Sequence, residues 1–249
     1  HIPESRAVTM NDPYYGVQWH YHSTGKGSSV EGIDIKLQEA WDLYGVYGNS
    51  SVIVAIIDSG VDTTHPDLEG NLWTNEAELN GTEGRDDDGN GYRDDIHGNF
   101  VAGSAAIHAE NHGTHVAGTV GAVNNNGAGV CGVAGGRYPQ KGVRLMCLQI
   151  MDETLPDKGA NLLKVFQYAA ENGAVIAQNS WGYKKDVTEM PAGDVTAINY
   201  FIEHAGMDSD GKQTGPMKGG LVIFAAGNDA QDYAYPAKYE KVLSVAAVG

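Results

Sequence analysis

Two cysteines in 249 residues are too few for a disulfide framework, which excludes the small cross-linked scaffolds that lack a core of their own. Cys131 sits in Gly129-Val130-Cys131-Gly132-Val133 and Cys147 in Leu145-Met146-Cys147-Leu148. Nothing electropositive flanks either thiol, so both read as small core residues and not as nucleophiles. Long hydrophobic runs are missing as well. No stretch approaches the ~18 consecutive apolar residues of a membrane helix, and His1-Ile2-Pro3-Glu4 has neither the charged start nor the apolar segment of a signal peptide, so no membrane partner is expected. Positive charge is scarce: 16 Lys and Arg stand against 32 Asp and Glu, a net charge of −16. That balance repels phosphate backbones, which excludes nucleic acid as a partner and suits bound cations instead.

What is present is enough apolar content, 41% of residues, to bury one large core. The 34 glycines follow no fixed period and mark turns, not repeats. Ser51 to Ile57 is a continuous β-branched run of the kind found in strands buried on both faces, and Val143–Ile150, Ala174–Ala177, Leu221–Ala226 and Val242–Val248 repeat it. Between them, Leu162, Leu163, Phe166, Ala169 and Ala170 share a helical face ending at Asn172-Gly173. Asp194 is expected to cap a second helix with Val195, Ile198, Ile202 and Ala205 on one side and Gly206 at its end. Strands alternating with helices predict an α/β fold, an open, mostly parallel sheet with helices on both faces, whose site lies at the carboxyl ends of the strands. Residues 1–48, broken by Pro3, Pro13, Gly16, Gly25, Gly27 and Gly32, read as an arm with one short helix over Ile35–Tyr44, and residues 49–249 as the main body. The polar, acidic stretch 69–109 is a long loop that function or metal must order.

Three strand or helix ends carry chemistry. Asp58 closes the first apolar run in Asp58-Ser59-Gly60. His112 opens a helix in His112-Gly113-Thr114-His115-Val116-Ala117-Gly118, and Asn228 follows a buried strand in Ala225-Ala226-Gly227-Asn228. An Asp that fixes the tautomer of a His, and a His that takes a proton from a serine, form the back of a nucleophilic triad. A side-chain amide can donate to the oxyanion.

With Asn179-Ser180-Trp181-Gly182, these strings occur in the order of the subtilisin-like serine peptidases, and the chain resembles that family from about Asn11 to Gly249. The resemblance implies Asp58 as triad carboxylate, His112 as general base and Asn228 as oxyanion donor. It also implies that Ser180, Trp181 and Gly182 pair with an extended peptide or protein substrate. The family's Gly-Thr-Ser-Met-Ala string is absent, so the nucleophile is expected beyond residue 249. Residues 49–249 are then the first two thirds of a peptidase domain, inactive alone and completed by a C-terminal segment. The alternative is a degenerate domain that binds peptides without cutting them.

Calcium and secretion are further implications. The resemblance points to Asp12, Asp67 and Asn125 with the backbone of Val123 and Val130 as one site. In Asp86-Asp87-Asp88-Gly89-Asn90-Gly91-Tyr92-Arg93-Asp94-Asp95, oxygens of Asp86, Asp88, Asn90, Tyr92 and Asp95 resemble a calcium loop without the closing glutamate of an EF-hand. A rival reading places zinc on His108, His112 and His115, which requires a helix running through His108 and lacks a His-Glu-x-x-His string.

Overall fold

A computed structural model describes residues 9–27, 29–152, 154–155, 159–184, 186–229 and 234–247. The first eight residues of the expected arm and the last residue of the run expected over Val242–Val248 lie outside them. In chain order the elements are helix α1 (Leu37–Tyr44), strand β1 (Ile53–Asp58), helix α2 (Glu76–Leu79), strand β2 (Gly98–Asn99), helix α3 (Asn111–Gly121), strands β3 (Gly136–Arg137), β4 (Gln140–Lys141) and β5 (Arg144–Gln149), helix α4 (Leu162–Glu171), strand β6 (Ala174–Asn179), helix α5 (Ala192–His204) and strands β7 (Leu221–Ala225) and β8 (Leu243–Val245). The chain divides into two compact units, one of His1–Ser50, Thr63–Asn71 and Ala117–Arg144, the other of Ser51–Asp62, Leu72–Val116 and Leu145–Gly249.

The larger unit is built on a six-stranded sheet in the order β2-β5-β1-β6-β7-β8. Its pairs β2/β5, β1/β6, β6/β7 and β7/β8 are parallel. The apolar runs explain this: β1 and β5 are buried along nearly their whole length, which requires cover on both faces. After β1 the chain goes out to the edge strand β2, comes back to β5 beside β1, then crosses to the other side for β6, β7 and β8. The order reverses at β1, and at such a switch point the carboxyl end of the strand faces an open crevice.

Helices α4 and α5 cover β6 and β7. Asn161 caps α4 by accepting the Lys164 N–H at 3.3 Å, and its buried face carries Val165, Phe166, Ala169 and Ala170. Phe166 meets Phe201 of α5 edge to face, centroids 6.0 Å apart, a pair that adds about 1 kcal/mol beyond its burial. Helix α5 starts earlier than its acidic residue suggested. Pro191, with φ −57°, occupies the N-cap position, and Asp194 lies in the first turn, where its carboxylate accepts the Tyr183 hydroxyl instead of capping. The smaller unit has its own core of Met10, Tyr21, Leu37, Trp41 and Cys131. Trp41 of α1 donates its indole N–H to Val133 O at 3.2 Å and stacks edge-on against Tyr21.

Candidate active site

Asp58 is the last residue of β1, and its carboxylate is buried, 1% exposed. The Ser59 N–H donates to Oδ1 at 2.7 Å, and His112 Nδ1 lies 2.6 Å from the same oxygen. A carboxylate can only accept, so the imidazole donates from Nδ1 and leaves Nε2 as the basic nitrogen. His112 stands in the first turn of α3 with its side chain 58% exposed, so a buried anchor holds a ring whose working edge meets solvent.

Two glycines allow this approach. Gly60 has φ +116°, and a Cβ there would stand 2.2 Å from His108 O. A Cβ on Gly113 would stand 2.1 Å from Gly60 O. Backbone therefore meets backbone between the turn after β1 and the start of α3, and the Gly113 N–H also donates to Ser59 Oγ at 3.2 Å.

Because β1, β6 and β7 run parallel side by side, Asp58, the Ser180-Trp181-Gly182 segment after β6 and Asn228 after β7 all belong to the carboxyl edge of the sheet. Trp181 is fixed by an indole N–H bond to Ile57 O at 3.1 Å and by edge-on packing on Phe224, while Gly182 is exposed. Ser180 Oγ accepts from the Gln178 amide. Asn228 is exposed.

The zinc reading fails on geometry. Helix α3 begins at Asn111, so His108 precedes it, and His108 Nδ1 turns to Asp152 Oδ2 at 3.1 Å. Among the described residues the only group of three or more His, Cys, Asp or Glu side chains spaced for a metal is Glu78, Asp86 and Asp88, with ligand oxygens within 4.8 Å of one another. That spacing matches oxygens about 2.3–2.6 Å from a shared calcium ion, so this donor set fits a hard cation. Glu78 of α2, thirteen residues before the end of the Asp86–Asn90–Gly91 turn, is the glutamate the loop itself lacks. It is buried and already accepts the N–H groups of Asp87, Asp88 and Asp94 at 2.7, 3.1 and 2.8 Å.

Around it, Asp86 accepts the N–H groups of Gly89, Asn90 and Gly91, and Asn75 and Asn90 donate to Asp88 and Asp95. Burial raises the Asp95 carboxyl above its ordinary value, and the Asp88 charge adds to this, while the Asn90 amide opposes it. Asp95 Oδ1 is buried and meets no donor among the described residues. Asp86 shifts the other way: slight desolvation is outweighed by N–H groups of Gly91, Gly89 and Asn90. Tyr92 turns its ring to Phe100 and Tyr168, which help line a separate cavity of about 480 Å³ that includes neither Asp58 nor His112.

The smaller unit brings Asp12, Asp67, Asn125 and Val130 together. Asp12, buried, accepts the N–H groups of Asn125 and Asn126 at 2.7 and 3.3 Å and the Cys131 thiol at 3.2 Å. Asp67 accepts the Val130 N–H and the Asn126 amide, and its own carbonyl takes the Val123 N–H. Val123 and Val130 thus meet Asp67 through N–H groups. Burial raises the Asp67 carboxyl, Asp12 adding to the effect against the N–H donors of Val130 and Asn126. Both cysteines are buried, and burial pushes the Cys147 thiol up to about 12, so neither is a ready nucleophile.

Sequence reasoning overlooked two functional candidates, Glu78 and Gln149. Gln149 carried a signal, a lone amide at the end of an apolar run; Glu78 carried none, because its partners lie in a different segment.

The family profile described as "Subtilase family" matches residues 49–249. Subtilisin-like protease 1 of Plasmodium vivax is 34% identical over 182 residues, 72% of this chain and 26% of that protein. The thermophilic serine proteinase of Bacillus sp. (strain AK1) is 30% identical over 244 residues, 97% of this chain and 46% of that protein. Among solved structures, a protease of Pseudoalteromonas arctica PAMC 21717 superposes with a TM-score of 0.60 at 28% identity, covering 97% of this chain and 66% of the other. The chain thus spans between a quarter and a half of the length of these two curated relatives. No helix among the described residues is long and apolar enough to cross a membrane.

Proposed function

Because this chain belongs to the subtilase family, we propose that it carries the aspartate, the histidine and the oxyanion donor of a serine endopeptidase. The observation that supports this reading above the others is the 2.6 Å contact between buried Asp58 and exposed His112. Asp58 accepts a hydrogen bond from Nδ1–H and holds the ring with Nε2 outward. Nε2 takes the proton of a serine hydroxyl as that oxygen attacks the substrate carbonyl, and Asp58 stabilises the imidazolium that results. His112 then returns the proton to the leaving amine. These 249 residues hold no Gly-Thr-Ser-Met-Ala string, so in this reading the attacking hydroxyl would be supplied from outside them. The Asn228 amide donates to the oxyanion, and an extended peptide pairs with Ser180-Trp181-Gly182.

Calcium would be held by Glu78, Asp86 and Asp88, with Asp95 and Asn90 beside them, and by Asp12, Asp67 and Asn125 as a second place. The ion would supply charge neutralisation that orders the loops. An extracytoplasmic setting suits loops of this kind, since extracellular modules bind calcium weakly, at about 10⁻⁴–10⁻³ M.

The test is peptide hydrolysis by the whole protein. His112→Ala is expected to lower kcat about 10⁴-fold with the melting temperature kept, because the base is needed only while the proton moves. Undiminished turnover in that variant would overturn the assignment.

A further inference from the structure

Gln149 ends β5 next to β1, between Leu148 and Ile150, with 0% of its surface exposed. A buried primary amide left unbonded costs about 1–3 kcal/mol, so its partners state its purpose. Nε2 donates to Ser59 O at 3.0 Å and to Met151 O at 3.1 Å, and Oε1 accepts the His108 N–H at 2.8 Å. Both donors and the acceptor are used.

Those partners are not scattered. Ser59 directly follows Asp58, and His108 lies four residues before His112, so one side chain joins the backbone behind the carboxylate to the backbone leading into the imidazole. The same two segments touch where His108 O would stand 2.2 Å from a Cβ on Gly60, with the Gln149 amide carbon and nitrogen at 3.1 and 3.2 Å. The Ser59 carbonyl and the His108 N–H each need a partner there, one a donor and the other an acceptor. A neutral planar amide supplies both at once, which no carboxylate, ammonium or alkyl group does.

We propose that Gln149 is a positioning residue for the Asp58–His112 pair, its amide acting as a splice that sets the spacing between the turn after β1 and the start of α3. This rests on the catalytic reading of that pair. The mechanism is geometric: a displacement of about 1 Å at the reacting groups costs about 100-fold in rate, while the substrate-binding strand is left alone.

The experiment uses the whole protein with Gln149→Leu, which keeps size and removes all three bonds, and Gln149→Glu, which keeps shape and the acceptor but loses the donors when ionised. The readouts are kcat and KM separately and the low-field proton resonance of the Asp58–His112 hydrogen bond. Expected is a fall in kcat of about 10- to 100-fold in both, KM within about twofold, and a weakened or lost resonance. Should Gln149→Leu not fold, Gln149→Glu read by the resonance alone decides. Variants with lowered melting temperature but unchanged kcat and resonance would make Gln149 a purely structural residue and overturn the proposal. The resonance reports on the pair without turnover, so an inactive parent protein would count against the peptidase reading and leave this test standing.

Discussion

The strand-end junction and the acidic loop over 75–95 are both held by hydrogen bonds that carboxylates accept, yet they are built on opposite terms. At the junction a single carboxylate, Asp58, sits among backbone groups fixed by β1, β5 and α3, and close packing of Gly60 on Gly113 sets the distances. In the loop, Glu78, Asp86, Asp87, Asp88, Asp94 and Asp95 stand close together, and carboxylate-to-N–H bonds set the distances. The first arrangement pairs one buried carboxylate with an imidazole, with the His108–Asp152 contact beside it, and backbone packing sets its spacing. The second stores like-charge repulsion that a cation or protons relieve. The lesson is that close backbone packing sets the Asp58–His112 spacing, whereas charge and its hydrogen bonds set the spacing in the loop.

The strongest way to break this contrast is to push the junction apart. Gly113→Ala places a Cβ against the Gly60 carbonyl, where backbone and not a flexible side chain must yield. Overpacking of that kind costs about 3 kcal/mol, so the melting temperature should fall by about 10 °C, with or without calcium. A variant as stable as the parent would show that packing does not set this distance.

Chelation is the next largest effect and should act only on the other region. Removing a cation held at about 100 times its Kd withdraws about 2.7 kcal/mol, a fall of about 5–10 °C in melting temperature, reversed by added calcium. Glu78→Gln should abolish the part of that response that comes from this loop while the Asp58–His112 resonance stays unchanged. A melting curve indifferent to chelator in both proteins would remove the calcium reading of this loop.

The smallest effect is one of pH. Burial raises Asp95 and Asp67 above the ordinary carboxylate value of 3.8 in the folded protein. Such groups contribute stability that is full below that ordinary value and is lost as pH rises through the raised folded value. In cation-free buffer, Asp95→Asn should therefore be relatively more stable than the parent at neutral pH, and the difference should vanish towards acid. Saturating calcium should reverse the order at neutral pH. Thermal melts across a pH series check the sign.

Legibility from sequence followed the same division. The runs that became β1 and β5 declared themselves because strands buried on both faces carry uninterrupted apolar residues, and the similar runs of β6 and β7 completed the parallel sheet and the edge where Asp58 and Asn228 stand. Strands β2, β3 and β4 are two residues long and were invisible, since so short a pairing leaves no periodicity. The Asp194 cap was misplaced because Pro191 starts the helix earlier. Asp86 and Asp88 were legible as a local pattern, whereas Glu78 acts from another segment, and no spacing rule connects them.

The backbone contact between Gly60 and Gly113 also bears on how such a protein could be diversified. In a saturation library each of these two positions is vetoed by the other's main chain, so both columns should empty under any selection, whatever substrate is offered. The half-exposed imidazole of His108 next door is tied in a different way, through Nδ1 to buried Asp152, so its replacement would cost that contact but not the backbone spacing. Selection would therefore have more freedom at His108 than at either glycine while the separation of Asp58 and His112 stayed at its original setting.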